Sequence, residues 1–123
     1  MNTAQLLEDS LLIIWNDRNA DRRLAAMQGV YAADIAFFER DGTAAITGHR
    51  AINELITTLQ AEWPVEFQFA LTKPAQANHP VQLVSWRLGA AGAPPVATGS
   101  DVAVVENGLI KSLYLFLDAA ADA

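Results

Sequence analysis

The sequence has 123 residues, a formal net charge of −6 and no cysteine. The missing cysteine excludes disulfides, thiol catalysis and thiolate metal sites, and an acidic chain whose eight Lys and Arg residues are scattered is not expected to bind nucleic acid. With 52% hydrophobic and 18% charged residues, the chain is predicted to form one folded domain, residues 1–123, with enough apolar material for a core and a lined cavity.

The first predicted element is a helix over residues 2–17. Asn2 is suited to cap its amino terminus, and apolar residues recur at helical spacing as Leu7, Leu11 and Ile14. Further apolar side chains widen this stripe, namely Leu6, Leu12, Ile13 and Trp15. A helix this apolar is normally covered on two sides, so we expect Trp15 to lie inside the protein.

Two more helices are predicted. The second begins near Asp21, whose carboxylate is suited to cap it, and has an apolar face made of Leu24, Met27 and Tyr31. The third covers residues 48–62 and ends before Pro64. Its buried face is predicted to carry Ile52, Leu55, Ile56 and Leu59.

Between these two helices, residues 35–40 alternate in a way that predicts a short edge strand. Ile35, Phe37 and Glu39 share one face of that strand. Beyond Pro64 the sequence predicts four strands, over residues 65–72, 81–88, 96–105 and 109–117. Asn107 and Gly108 separate the last two, which therefore form a tight antiparallel hairpin.

Three helices followed by an antiparallel meander predict an α+β fold in two layers. We expect a strongly bent, mostly antiparallel sheet to wrap the helices and to leave a hollow between the layers. The longest apolar run, residues 11–15, is far too short to span a bilayer, and the amino terminus has no basic segment of a signal peptide. The sequence therefore predicts a cytoplasmic protein with no membrane partner.

This order of elements resembles the nuclear transport factor 2-like superfamily, which includes ketosteroid isomerase and the SnoaL-like polyketide cyclases. The resemblance covers nearly the whole chain, and it implies a cone-shaped fold around an apolar pocket and a homodimer formed through the outer face of the sheet. The positions that carry it are Trp15, residues 31–34 (Tyr-Ala-Ala-Asp), residues 48–52 (Gly-His-Arg-Ala-Ile), Trp86, residues 99–101 (Gly-Ser-Asp), residues 107–110 (Asn-Gly-Leu-Ile) and residues 116–118 (Phe-Leu-Asp).

Two carboxylates are candidate catalytic residues. The resemblance implies that Glu39 matches the general base of the isomerase, and alternation independently turns Glu39 to the inner face. It also implies that Asp101 matches the second carboxyl group, a proton or hydrogen-bond donor. For Glu39 the alternative is a rim glutamate in water, alone or paired with Arg40 or Arg50. For Asp101 the alternative is a structural hydrogen bond to Ser100, to Thr98 or to Arg87 of a neighbouring strand.

Aromatic residues are the candidate substrate-binding residues: Trp15, Tyr31, Phe37, Trp86 and Phe116. Ordinary core packing is the alternative for each of them. The tyrosine that the isomerase places on its first helix has no counterpart here, because the chain has Ile13, Ile14 and Trp15 in that region. This difference leaves a non-catalytic ligand carrier or a dimeric adaptor open beside an isomerase, cyclase or hydratase.

Several other kinds of site are missing from the sequence. No glycine-rich loop leads from a strand into a helix, and no Gly-x-Ser-x-Gly segment occurs, which excludes a nucleotide cradle and a serine hydrolase elbow. His49 and His79 lack a third ligand at a fixed spacing, so no metal site is predicted. We therefore expect a protein that uses no cofactor.

Overall fold

The computed structural model describes residues 4–118. In this part of the chain the helices are α1 (Gln5–Asp9), which continues as a π-helical segment (Ser10–Ile14), α2 (Ala20–Met27) and α3 (His49–Gln60). The strands are β1 (Tyr31–Phe38), β2 (Ile46–Thr47), β3 (Gln68–Leu71), β4 (Gln76–Asn78), β5 (Val81–Gly89), β6 (Ala97–Glu106) and β7 (Leu109–Leu117).

The seven strands form one mixed sheet in the order β2-β1-β7-β6-β5-β3, with β4 also paired to β5. Only the β1–β7 pair is parallel, and the other pairs among the described residues are antiparallel. The helices pack on one face of this sheet, and the largest cluster of buried apolar side chains lies between the two layers. The predicted α+β class is confirmed.

The first helix differs from its prediction in two ways. It changes from α to π geometry at Ser10, whose carbonyl accepts a hydrogen bond from the amide of Trp15 at 3.0 Å, five residues later. Its outer side is not covered by a second element, as the exposure of Leu12 (37%) and Ile13 (54%) shows. The proposed cap Asn2 lies outside the described residues.

The link between α2 and α3 depends on a buried arginine. Arg23 is 1% exposed and donates hydrogen bonds to the carbonyl of Asp17 (2.8 Å), to Oδ1 of Asn53 (2.7 Å), to Oε1 of Gln60 (2.9 Å) and to Oγ1 of Thr57. Its planar guanidinium group, with five donors, can satisfy several acceptors on α3 and the carbonyl of Asp17 at once. The guanidinium group of Arg23 therefore links α2 to α3 through hydrogen bonds, while the apolar faces of both helices pack toward the sheet.

The residue that caps α2 lies two positions before the predicted Asp21. The cap is Asn19, whose side-chain oxygen accepts a hydrogen bond from the amide of Arg22 at 2.9 Å. Asp21 lies inside the first turn of the helix instead, where its charge still suits the helix dipole.

β1 is longer and less peripheral than the predicted strand over residues 35–40. It starts at Tyr31, and it lies between β7 and the two-residue strand β2, so it is not the edge of the sheet. The register with β7 shifts between Tyr31 and Ala36, and His49 fills this irregularity by donating from Nε2 to the carbonyls of Tyr31 (3.1 Å) and Ala32 (3.0 Å). The irregular start of the strand explains why alternation alone did not show it.

The hairpin predicted at Asn107 and Gly108 is confirmed. Both residues have positive φ, 53° and 78°, as a two-residue turn of this kind requires, and β6 and β7 pair antiparallel on either side. The predicted strand over residues 65–72 is shorter in the structure, and β4 was not predicted. No helix in the described part of the chain is long and apolar enough to cross a membrane.

Candidate functional site

A cavity of about 330 Å³ lies between the first helix, α3 and the inner face of the sheet. Five of its lining side chains are aromatic: Trp15, Phe37, Trp63, Phe69 and Trp86. Eight are aliphatic: Leu11, Leu59, Leu88, Val96, Ala97, Leu113, Leu115 and Leu117. The remaining two are Glu39 and Asp101, so carboxyl groups are the only ionisable groups of an otherwise apolar lining.

Asp101 is held on the inner face of β6 and is 8% exposed. Its Oδ1 accepts a hydrogen bond from the indole Nε1 of Trp86 at 3.0 Å. Burial raises the pKa of Asp101 to about 6, although the indole hydrogen bond favours the charged form and acts in the opposite direction. This carboxyl group can therefore both release and accept a proton near neutral pH.

The contact between Trp86 and Asp101 follows from the register of β5 and β6. Trp86 lies opposite Gly99, and Asp101 is two positions further along β6, so the two side chains are diagonal neighbours on one face. A Cβ at Gly99 would lie 2.7 Å from Cζ2 of Trp86 and 2.7 Å from the carbonyl oxygen of Phe116. The indole ring can cross β6 to reach the carboxylate only because residue 99 has no side chain.

Glu39 directly follows β1 and is partly buried. The β1–β7 register pairs Phe38 with Tyr114, which brings Glu39 level with Leu115, and Leu115 pairs with Asp101 on the next strand. At the usual spacing of strands, the Cα atoms of Glu39 and Asp101 are about 10 Å apart. Both acids therefore project into the cavity from the same level of the sheet, two strands apart.

In the described residues, neither acid contacts the particular partner that its structural alternative names. Neither Arg40 nor Arg50 makes an ion pair with Glu39 in the described residues; they line two other surface depressions. The partner of Asp101 is Trp86, not the serine, threonine or arginine side chains that lie near it in the sequence or on the next strand.

Three of the aromatic candidates reach the cavity, and two do not. Trp15, Phe37 and Trp86 line it, and the rings of Trp15 and Phe37 meet edge to face with centroids 5.8 Å apart. Tyr31 is 1% exposed and shares a 2.5 Å hydrogen bond with Ser10 behind the lining. Burial raises the pKa of Tyr31 to about 12, so its phenol is a structural hydrogen-bonding group.

Phe116 lies on the other side of the sheet. Its side chain is 58% exposed and belongs to the outer face, next to Tyr114. Alternation along β7 explains the difference, because Leu113, Leu115 and Leu117 take the inner positions and line the cavity. Phe116 is therefore not a lining residue as predicted, because the register of β7 turns it outward.

Two lining residues were not among the sequence candidates, Trp63 and Phe69. Phe69 contacts Trp63 and Trp86 edge to face, with centroids 5.8 and 5.1 Å apart. Asn16 fixes the backbone of Phe69 by a pair of hydrogen bonds, and Arg18 donates to the carbonyl of Trp63. These contacts join segments about fifty residues apart, and no local pattern in the sequence indicates them.

The remaining polar candidates have structural roles. Asp34 forms an ion pair with Lys111 on the surface, and Asp118 accepts a hydrogen bond from Oγ1 of Thr98 at 2.7 Å. His79 lies in a turn with a positive φ of 53°. Within residues 4–118, no group of three or more His, Asp or Glu side chains is arranged to hold a metal ion.

Neither a protein-family model nor a curated protein matches this sequence. Solved structures do match. A SnoaL-like family protein from Agrobacterium tumefaciens superposes with a TM-score of 0.81 at 22% identity, covering 94% of this chain and 96% of the other. The chain has the fold of the SnoaL-like, ketosteroid isomerase-like and NTF2-like proteins.

Two further structures extend this likeness. A protein with a ketosteroid isomerase-like fold from Catenulispora acidiphila, in complex with trimethylamine, gives a TM-score of 0.71 at 18% identity over 94% of this chain and 86% of that one. An NTF2-like protein of unknown function from Cytophaga hutchinsonii gives 0.66 at 13% identity over 96% and 93%. At these identities the likeness establishes the fold, and the function has to be argued from the site.

Proposed function

We propose that this protein binds a small hydrophobic molecule in the cavity and carries out acid–base chemistry on it without a cofactor. Glu39 is the general base, and Asp101 is the acid. The observation that carries the proposal is the pair of carboxyl groups, which line one apolar cavity from the same level of the sheet, two strands apart. Isomerisation, cyclisation and the addition of water are the reactions that such a pair serves.

The different surroundings of the two acids support a division of roles. Asp101 is buried and has a pKa near 6, so a useful fraction is protonated near neutral pH. Glu39 is only partly buried, directly follows the end of β1 and lines the same cavity. Two carboxyl groups in different surroundings can take different roles, one as acid and the other as base.

The size and lining of the cavity set the kind of molecule it takes. A volume of about 330 Å³ is at the lower end of the range for ligand pockets, and aromatic and aliphatic side chains dominate the lining. A fold relative crystallised with trimethylamine supports the view that this architecture holds small molecules. The substrate is therefore compact and mostly hydrocarbon.

A test of this proposal starts from whatever molecule the purified protein retains. Native mass spectrometry is expected to show the chain with one small molecule bound, which is then extracted and incubated with enzyme in D₂O. Wild type is expected to introduce carbon-bound deuterium, and Glu39→Gln to do so at least about 100-fold more slowly, because the base is gone. Equal exchange in the variant would dismiss Glu39 as the base.

The matched control is Glu106→Gln, which removes one negative charge at the far hairpin, outside the cavity. Its exchange rate is expected to equal that of wild type. The melting temperature of each variant, measured in parallel, separates a loss of chemistry from a loss of folding.

A ligand carrier that performs no reaction is the second candidate. It is favoured by one observation: no hydroxyl group lines the cavity, since Tyr31, the nearest phenol in the core, is bonded to Ser10 behind it. In that case the retained molecule would come back from D₂O without carbon-bound deuterium in wild type and variants alike.

We also propose that residues 1–123 act as one domain and pair with a second copy through the outer face of the sheet. Phe38 and Tyr114 stack there with ring centroids 4.7 Å apart, beside the largely exposed ring of Phe116. An aromatic patch of this kind on the uncovered face of a sheet is typical of an interaction surface.

A further inference from the structure

The lining of the cavity has acidic groups and no basic ones. None of the eight Lys and Arg residues of the sequence lines it, and neither histidine does. The two ion pairs found among residues 4–118 join Arg22 to Asp17 and Lys111 to Asp34, away from the cavity. Whatever occupies the cavity is therefore surrounded by negative or neutral groups.

The carboxylate of Asp101 lacks a charged partner. The indole of Trp86 donates to Oδ1, and no other side chain in the described residues donates to this carboxyl group. A buried carboxylate with one neutral donor is poorly compensated for the water it has lost. A ligand that brings a positive charge would supply the missing counterion.

The aromatic rings that line the cavity also favour a cationic ligand. Phe69 meets Trp15, Trp63 and Trp86 edge to face at centroid distances from 5.1 to 6.2 Å, so four rings form a continuous surface. The faces of aromatic rings attract ammonium groups, and indole does so most strongly. The same rings provide an apolar environment for the hydrocarbon part of the ligand.

We propose that the ligand is a hydrophobic amine, which binds in its protonated form and is held as an ammonium group between Asp101 and Glu39. The separation of about 10 Å between the two Cα atoms, with Leu115 at the floor, leaves room for a small substituted nitrogen. This inference rests on the proposed binding function and specifies its ligand class.

The test uses three probes of one shape, each a benzyl group bearing three further non-hydrogen atoms. N,N-dimethylbenzylamine is cationic at neutral pH, isobutylbenzene is its uncharged carbon analogue, and phenylacetate is an anion. All three tryptophans of the chain, Trp15, Trp63 and Trp86, line the cavity, so intrinsic fluorescence reports binding directly. A parallel titration of free N-acetyltryptophanamide corrects for collisional quenching.

We expect the amine to bind, phenylacetate not to bind, and Asp101→Asn to weaken the amine at least about tenfold, because the charge partner is lost. The same substitution is expected to change the affinity for isobutylbenzene by less than about twofold, since that probe has no charge to pair. Glu39→Gln changes a partly buried residue outside β6 and is expected to weaken binding of the amine as well. This variant therefore tests the role of charge even if Asp101→Asn disturbs β6. Glu106→Gln is the control for net charge and is expected to leave all affinities unchanged.

Other outcomes would contradict either the amine assignment alone or the proposed binding function as well. If isobutylbenzene binds while the amine does not, or if the amine affinity is the same in both cavity variants as in wild type, the amine assignment is wrong and the hydrophobic cavity site stands. Binding of phenylacetate in preference to the amine also overturns the assignment. If none of the three probes binds, both the amine inference and the proposed binding function fail.

Discussion

Burial and a hydrogen bond act in opposite directions on Asp101. Removal from water favours the protonated acid, and the indole N–H of Trp86 favours the carboxylate. Burial is the larger effect, so the pKa is raised from its ordinary 3.8 to about 6. When this buried acid is ionised, it lowers the free energy of unfolding. The effect of its ionisation can therefore be measured without knowledge of the substrate.

The first prediction concerns stability and pH. An acid whose pKa is higher in the folded than in the unfolded state stabilises the fold least when it is ionised in both states, so stability is lost as pH rises from about 4 through about 6. The rise in pKa corresponds to a cost on the order of 3 kcal/mol above pH 7. Asp101→Asn keeps an oxygen acceptor for Trp86 and removes this cost.

Urea denaturation of wild type and Asp101→Asn at several pH values measures the difference. The variant is expected to be more stable at pH 8, and the two proteins to converge below pH 4. Asp17 and Asp34 have pKa values lowered by Arg22 and Lys111 and change stability in the opposite sense, but they do so equally in both proteins. If the difference in unfolding free energy between wild type and Asp101→Asn does not vary with pH, Asp101 is not a buried titrating acid.

The sequence predicted the unusual position of Asp101 but not its partner. A lone acid among valines and alanines on a strand requires a partner or a proton, and this much is visible from the residues. The donor is Trp86, and its ring reaches the acid only because Gly99 opposes it in the register. Register between strands is a property of the folded sheet, and neither strand shows it alone.

At the scale of elements, polar contacts decide how the helices are joined. The apolar stripes of α2 and α3 predict that both helices face the sheet, but they do not show that Arg23 is buried between them. Asn53, Thr57 and Gln60, all on α3, supply its acceptors. A buried arginine with hydrogen bonds to several acceptors makes the pairing of these helices specific in orientation as well as favourable.

A prediction at this scale compares two neighbouring arginines. Arg23→Lys leaves acceptors on α3 unpaired, because an ammonium group cannot reproduce the planar fork, and is expected to lower the free energy of unfolding by about 2 kcal/mol or more. Arg22→Lys, at a side chain that is 69% exposed, is expected to leave stability unchanged. Equal effects of the two substitutions in chemical denaturation would contradict a structural role for Arg23.

Periodicity predicted the elements better than their ends. The three helices and the four longer strands of the meander are present, since apolar repeats over many residues identify them. The π-helical turn at Ser10 and the short strands β2 and β4 were not predicted, because a single shifted hydrogen-bonded turn and strands of two or three residues are too short to give a recognisable periodicity. The helix cap at Asn19 was missed for a simpler reason: two capping residues lie two positions apart.

At the scale of the whole molecule, the two faces of the sheet have different roles. The inner face closes the cavity, and the outer face carries the aromatic patch of Phe38, Tyr114 and Phe116. If the patch joins two copies, light scattering on a size-exclusion column is expected to give twice the 13.3 kDa mass of the chain.

Phe116→Glu is expected to reduce this mass to that of one chain, because a charge cannot be buried unpaired in the interface. Val65→Glu is the matched control: its side chain is 77% exposed and lies in the turn before β3, away from the patch. A monomeric wild type, or a dimer that survives Phe116→Glu, would contradict pairing through this face.

Contact between a bound ligand and both acids of the cavity can be measured directly. Carboxyl ¹³C resonances of the protein are followed by NMR during saturation with whichever of the amine and isobutylbenzene probes binds more tightly. Of the fourteen Asp and Glu side chains, we expect Glu39 and Asp101 to shift and the others to stay in place. If these two resonances remain fixed while carboxyl groups elsewhere respond, the cavity is not the ligand site.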